Sequence, residues 1–192
     1  SLDAGWELFD TQLIAQLDGG GPRGFCGTVV AGNYLYFVPF GYAGQERGRV
    51  VRYNQTLPFS SPSSWEVFDL ADVDVNAQGF QGGGYDGRYV YFAPLQNPTQ
   101  GHHGNVARFD TQQSFTTATS WNVFNLETLD SGIVPSQQDA AASIERVGYV
   151  GTGFDGRYLY LVPNNGLNGI HGWIARFDTK KASLNDPSAW SF

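Results

Sequence analysis

Short apolar runs alternate with glycine-, asparagine- and aspartate-rich breaks, and the same runs return at three places along the chain. The clearest is Asn33-Tyr-Leu-Tyr-Phe-Val-Pro39, repeated as Arg88-Tyr-Val-Tyr-Phe-Ala-Pro94 and Arg157-Tyr-Leu-Tyr-Leu-Val-Pro163. Tyr34, Tyr36 and Val38 alternate with Leu35 and Phe37, so a strand drawn through this run is apolar on both faces. That pattern belongs to a strand covered on both sides. A sheet stacked between two neighbouring sheets provides such cover.

Three further runs keep phase with it. A glycine-rich run precedes it: Gly24-Phe-Cys-Gly-Thr28, Gly79-Phe-Gln-Gly-Gly83 and Gly148-Tyr-Val-Gly-Thr152. After it come Arg49-Val-Val-Arg-Tyr-Asn54, Asn105-Val-Ala-Arg-Phe-Asp110 and Trp173-Ile-Ala-Arg-Phe-Asp178. Last is Ser64-Trp-Glu-Val-Phe-Asp69, matched by Ser120-Trp-Asn-Val-Phe-Asn125 and, in shortened form, by Ala189-Trp-Ser-Phe192. Each unit therefore reads as four short strands separated by turn signals. Asp86-Gly87, Asp155-Gly156 and Gly32-Asn33 supply the positive-φ residues that a tight hairpin between the first two strands needs.

The spacings decide which connections vary. From the first-strand aromatic to the second-strand tyrosine the distance is nine residues in every unit, and from there to the third-strand arginine it is 18, 19 and 18. From the fourth-strand tryptophan to the next first-strand aromatic it is 19, 15 and 28. Insertion thus concentrates in Glu127–Val147, the connection with most scope for individual function. The chain opens on Gly5-Trp-Glu-Leu-Phe-Asp10, a fourth-strand run with no first three strands before it. Two readings are open: the run completes a neighbour's unit, or the chain is a portion of a longer repeat.

The expected fold is all-β: three four-stranded β-propeller blades, at about residues 24–70, 79–126 and 148–192 of a single repeat domain, with 5–10 as an extra outer strand. The alternative is a β-trefoil or β-prism. The units resemble kelch-like propeller blades in their glycine-rich first strands and recurrent late tryptophan, though the double-glycine and Tyr-Trp pattern of that family is not reproduced well. They are also similar to tandem repeats of uncharacterised bacterial proteins, a resemblance that implies no activity. Propellers close with four to eight blades, so three blades leave two apolar faces that call for a partner. The expected partner is a second copy, in a homodimer forming a six-bladed ring.

Composition narrows the chemistry. Aromatics at 15% and 25 glycines suit short strands and tight turns. A net charge of −7 with scattered basic residues argues against nucleic-acid and anionic-membrane partners. Cys26 alone provides neither a disulfide framework nor a cysteine zinc site. Asp72-Val-Asp-Val-Asn76 lacks the glycine and the distal glutamate of a calcium loop, and His102-His103 has no carboxylate at ligand spacing. The glycine runs are followed by no Gly-Lys-Ser/Thr. No metal or cofactor is expected.

Candidate ligand-binding residues are Asp130, Asp139 and Glu145 in and beside the long insertion, His103 and His171 before the third strands, and Arg108 and Arg176 within them. Arg108 and Asp110, like Arg176 and Asp178, are two apart and share a strand face. Such a pair suits sugar hydroxyls or carboxylates, or else ties neighbouring blades together. The leading functional expectation is a non-catalytic, self-assembling binding module with a glycan or small-molecule surface on the face of the long connections. One alternative is a hydrolase or lyase using loop carboxylates, with Glu46 and Glu127 as further candidates. The other is a purely structural repeat fragment. Compartment is not legible.

Overall fold

The computed structural model describes residues 5–14, 21–41, 47–129, 145–181 and 183–192. Among these, strands account for nearly all regular structure, with short 3-10 turns between them. Among the described residues no helix is long and apolar enough to cross a membrane.

The first unit forms β1 (Phe25–Ala31), β2 (Tyr34–Pro39), β3 (Arg49–Asn54) and β4 (Trp65–Asp69), hydrogen-bonded in that order as one antiparallel sheet. The second forms β5 (Phe80–Tyr85) and β6 (Tyr89–Pro94), a two-residue hairpin of β7 (Gln96–Asn97) and β8 (Gly101–His102), then β9 (Asn105–Asp110) and β10 (Trp121–Asn125). Its main sheet runs β5-β6-β9-β10. The third repeats the plan with β11 (Tyr149–Phe154), β12 (Tyr158–Pro163), the hairpin β13 (Asn165–Gly166) and β14 (Gly169–Ile170), β15 (Ala175–Asp178) and β16 (Trp190–Ser191). The two small hairpins are elements that the repeat pattern did not announce.

The turn chemistry follows the sequence. Gly87 and Gly156 sit at φ of 102° and 98°. In each hairpin the preceding aspartate closes the turn, as Asp86 Oδ1 accepts from the backbone N–H groups of Arg88 and Tyr89 at 2.8 and 2.7 Å. Asp155 does the same for Arg157 and Tyr158. Early in each first strand the register slips. In the second sheet this bulge holds Gly82 at φ 84°, where an added Cβ would lie 2.7 Å from the Val150 carbonyl oxygen. Only glycine lets β5 approach β11 this closely. β5 packs between β1 and β11, so the first strands of the three sheets lie side by side.

The sheets stack face to face. On β6, Val90 and Phe92 enter the core shared with the first sheet, while Tyr91 and Ala93 enter the core shared with the third. All four are fully buried, which is the two-faced cover that the apolar run implied. The same contacts are made at both interfaces. Tyr36 packs on Phe109, and Tyr91 on Phe177. Phe68 stacks on Trp121 at 4.8 Å, and Phe124 on Trp190 at 5.9 Å. Each of these tryptophans is fixed by an Nε1–H bond to the carbonyl six residues earlier, in Phe115 and Leu184, as Trp65 is by Phe59.

Residues 5–10 follow the same grammar without a sheet of their own. Phe9 stacks on Trp65 at 4.5 Å with rings 3° from parallel, as Phe68 does on Trp121. Asp10 accepts from Gln12 N–H at the start of a 3-10 turn, as Asp69 does from Ala71 and Asn125 from Glu127. The segment therefore lies where a preceding unit's fourth strand would lie. Residues 6–10 take no part in any ladder, and Trp6 and Leu8 are each 74% exposed.

Candidate functional site

The candidate residues fall into three environments. His103 is buried just before β9, and its ring faces the entry to the same sheet. Nε2 lies 2.8 Å from the Gln78 carbonyl oxygen and Nδ1 accepts from Asn105 N–H at 3.2 Å. A carbonyl on one side and an N–H on the other leave one consistent form, the neutral imidazole protonated at Nε2. The ring also meets Phe80 edge-on at 6.0 Å. Burial pushes its pKa down to about 4, against the opposing pull of the backbone bonds. His171 repeats the arrangement with the Val147 carbonyl at 2.9 Å, Trp173 N–H at 3.3 Å and Tyr149 edge-on at 5.9 Å. Both rings thus latch the segment leading into the third strand to the segment leading into the first. Among the described residues no cluster of three or more metal-ligating side chains occurs.

Arg108 and Arg176 occupy equivalent strand positions in different surroundings. The Arg108 guanidinium lies 4.2 Å over the Tyr89 ring and bonds the Tyr91 hydroxyl, and the residue is only 8% exposed. Tyr91 also donates to Asp86 Oδ2 at 2.7 Å, so one network joins turn, second strand and third strand. Burial pushes the Tyr91 hydroxyl pKa up, and Asp86 adds to the rise. In the first sheet Arg52 lies between Tyr34, at 4.1 Å, and Phe115 of the next unit, at 4.4 Å, with Glu66 accepting from its Nε. Arg176 has the same Tyr158 ring beneath it at 4.4 Å and donates to Ser191 Oγ, yet its other side is open.

The aspartates that share a strand face with these arginines bond to the turn arginines of their own units. Asp110 takes a two-pronged bond from Arg88, at 3.2 and 2.7 Å, and Asp178 takes one from Arg157, at 3.3 and 2.8 Å. The reason is register: Tyr89 stands opposite Asp110, which brings the turn arginine beside the carboxylate. Arg108, two residues along the strand, is held on the tyrosines. The Arg88 bond holds the Asp110 carboxyl below the usual range, and Arg157 does the same for Asp178.

Glu145 stands at the β13–β14 hairpin. Its Oε1 accepts from the backbone N–H and side-chain amide of Asn168 at 3.0 and 2.8 Å. Burial raises its pKa, but these bonds and the Leu167 N–H together bring it below the ordinary value. Glu145 and His171 flank Gly166, where any Cβ would collide with Glu145 Oε2 and crowd the imidazole. Glu145 and His171 are thus brought together, whereas His103, Arg108 and Arg176 are spread over two sheets. Asp130, Asp139 and Glu46 lie outside the described residues.

Asp86 and Asp155, which carry the tyrosine networks, were read from the sequence only as turn residues. Their second role was readable in principle, because each stands five residues before the tyrosine whose hydroxyl it accepts. Comparison with protein-family models and with curated proteins finds no match. Chemically, the described residues offer repeated aromatic–guanidinium faces, with the ionisable groups committed to turns and hairpins.

Proposed function

We propose that the chain is a non-catalytic binding and interaction module of β-propeller type, and that it assembles with a second copy of itself into a six-bladed ring. Three features support the propeller reading. Each unit forms its own sheet, the glycine-bearing first strands adjoin, and successive sheets use one repeated face-to-face contact. A trefoil-type barrel would need ladders joining strands of different units, and the ladders among the described residues all lie within one unit.

The observation that carries self-assembly is the far face of the third sheet. Tyr160, Val162, Ile174 and Arg176 repeat there the positions of Tyr91, Ala93, Val106 and Arg108, which are buried in the second sheet. Val162 is 45% exposed and Ile174 53%. At the opposite end, Leu35, Phe37, Val51, Tyr53 and Phe59 hold the positions of Leu159, Leu161, Ala175, Phe177 and Leu184, which cover Tyr91 from the third sheet. One end of the molecule is therefore built like the socket for the other. A glycan or small-molecule surface on the side of the long connections, edged by Glu145 and His171, belongs to the same reading.

Light scattering over a concentration series tests it. The expected mass is ~42 kDa, twice that of the 21.0 kDa chain. A constant single-chain mass at every concentration overturns the ring.

A further inference from the structure

The chain contains two Asn-Gly pairs, Asn165-Gly166 and Asn168-Gly169, and both lie in the hairpin β13–β14. An asparagine followed by glycine is open to attack by its own backbone. The glycine nitrogen reaches back to the side-chain Cγ, and the absence of a Cβ leaves that approach free. The structure gives the two pairs opposite surroundings.

At the base of the hairpin Asn165 is half-buried and Gly166 buried. Glu145 Oε2 and the His171 ring cover Gly166. Asn164 N–H donates to the Gly148 carbonyl and His171 N–H to the Asn164 carbonyl, each at 3.0 Å. Reaction at Asn165 requires this whole base to come apart. At the tip, Asn168 and Gly169 are exposed. Gly169 sits at φ 111°, and an added Cβ there would meet nothing within 4 Å. Two ladder pairs, Asn165 with Ile170 and Gly166 with Gly169, hold the tip together with the Glu145 carboxylate. So short a ladder opens locally at little cost.

We infer that Asn168 is a site of spontaneous deamidation, and that the change releases the hairpin from Glu145. The Gly169 backbone nitrogen bonds to Asn168 Cγ and gives up its proton. The Cγ–Nδ2 bond breaks, and ammonia leaves with that proton. Water then opens the cyclic imide at one carbonyl or the other, leaving an aspartate or an isoaspartate link with no redox change. The consequence follows from what Nδ2 does in the intact chain. It donates to Glu145 Oε1 at 2.8 Å, beside the Asn168 backbone N–H at 3.0 Å. Deamidation replaces that donor with a carboxylate, and two carboxylates at hydrogen-bond distance repel unless one takes up a proton. The clasp between the long connection and the third unit's hairpin is then lost. This stands apart from self-association and holds for a single chain.

Timed incubation of the intact chain in mildly alkaline buffer, followed by peptide mass spectrometry, tests the site. Conversion of amide to acid at Asn168 is expected to be about tenfold or more faster than at Asn165. In urea the two should convert at similar rates. Equal rates in the folded chain mean that the hairpin opens as a whole, and they overturn the assignment. If Asn168 stays intact while the urea sample converts, the Glu145 clasp protects it and the inference falls. The release is read on Asn168→Asp by hydrogen exchange. Peptides covering 145–148 and 165–170 are expected to exchange about tenfold or more faster than in the unmodified chain. Adding Glu145→Gln supplies a donor to the new carboxylate and is expected to restore protection. Unchanged exchange in the single variant, or no recovery in the double one, overturns the release.

Discussion

A histidine held by a carbonyl on one nitrogen and an N–H on the other has to stay neutral, and this makes His103 an acid-sensitive point of the fold. Its pKa falls from 6.5 to about 4 on folding. Above pH 6.5 the ring is neutral in both folded and unfolded chains, and the latch contributes fully. As pH falls from 6.5 towards 4 the unfolded chain takes up the proton first, so stability is lost over that window, about 3 kcal/mol in all. Denaturant unfolding at pH 7 and pH 4.5 measures this. The His103→Gln variant is expected to be less stable at pH 7 and to show a flatter fall. The two equivalent arginines give a second contrast. Arg108→Ala removes a buried stack and the guanidinium bond to the Tyr91 hydroxyl, an expected loss of about 2–3 kcal/mol. Arg176→Ala in the single-chain species is expected to cost less than about 0.5 kcal/mol. The repeat made both arginines visible in the sequence, but not their difference. That difference comes from which sheet faces are covered, a property of the stack that the residue's own neighbours in sequence do not encode.

At the scale of strands and turns, glycine marks where backbones meet. Gly82 combines a left-handed φ with an approach to Val150 that leaves no room for a Cβ, whereas Gly153 has open space around its Cβ direction and no such φ. Gly82→Ala is therefore expected to lower stability by about 2–4 kcal/mol and Gly153→Ala by less than about 0.5 kcal/mol, as read by thermal or urea unfolding. Most elements were legible because local chemistry decides them. Asp-Gly pairs set the hairpins, alternation sets the strands, and the tryptophan register sets the fourth strand. The hairpins β7–β8 and β13–β14 were not legible, since they are too short to show alternation. What holds them is specific side chains: Asn97 Oδ1 accepting from Thr99 and Gln100 N–H groups, and Glu145 accepting from Asn168. Glu145 reads as a loop acid in the sequence because its partner lies 23 residues away.

Across the whole molecule, the two-faced apolar run in each unit told that sheets stack, and the middle sheet is covered on both sides as that pattern requires. The ends are a different matter, because the same side chains are core in the second sheet and surface in the third. The candidate site was less legible than the fold. Arg108 has a counterpart in all three units and His103 in the third, where both serve the scaffold, and the acids unique to one connection, Asp130 and Asp139, lie outside the described residues. In the proposed ring, the contact repeated within the chain continues head to tail between chains. This is tested most directly by the light-scattering mass of two variants, alone and mixed. Val162→Glu blocks the far face of the third sheet, and Leu35→Glu blocks the opposing face of the first. Each alone is expected to stay near the single-chain mass. Their equimolar mixture should recover association through the one unblocked pair of faces. If Leu35→Glu alone still doubles its mass while Val162→Glu does not, the copies meet through like faces and the head-to-tail account is contradicted.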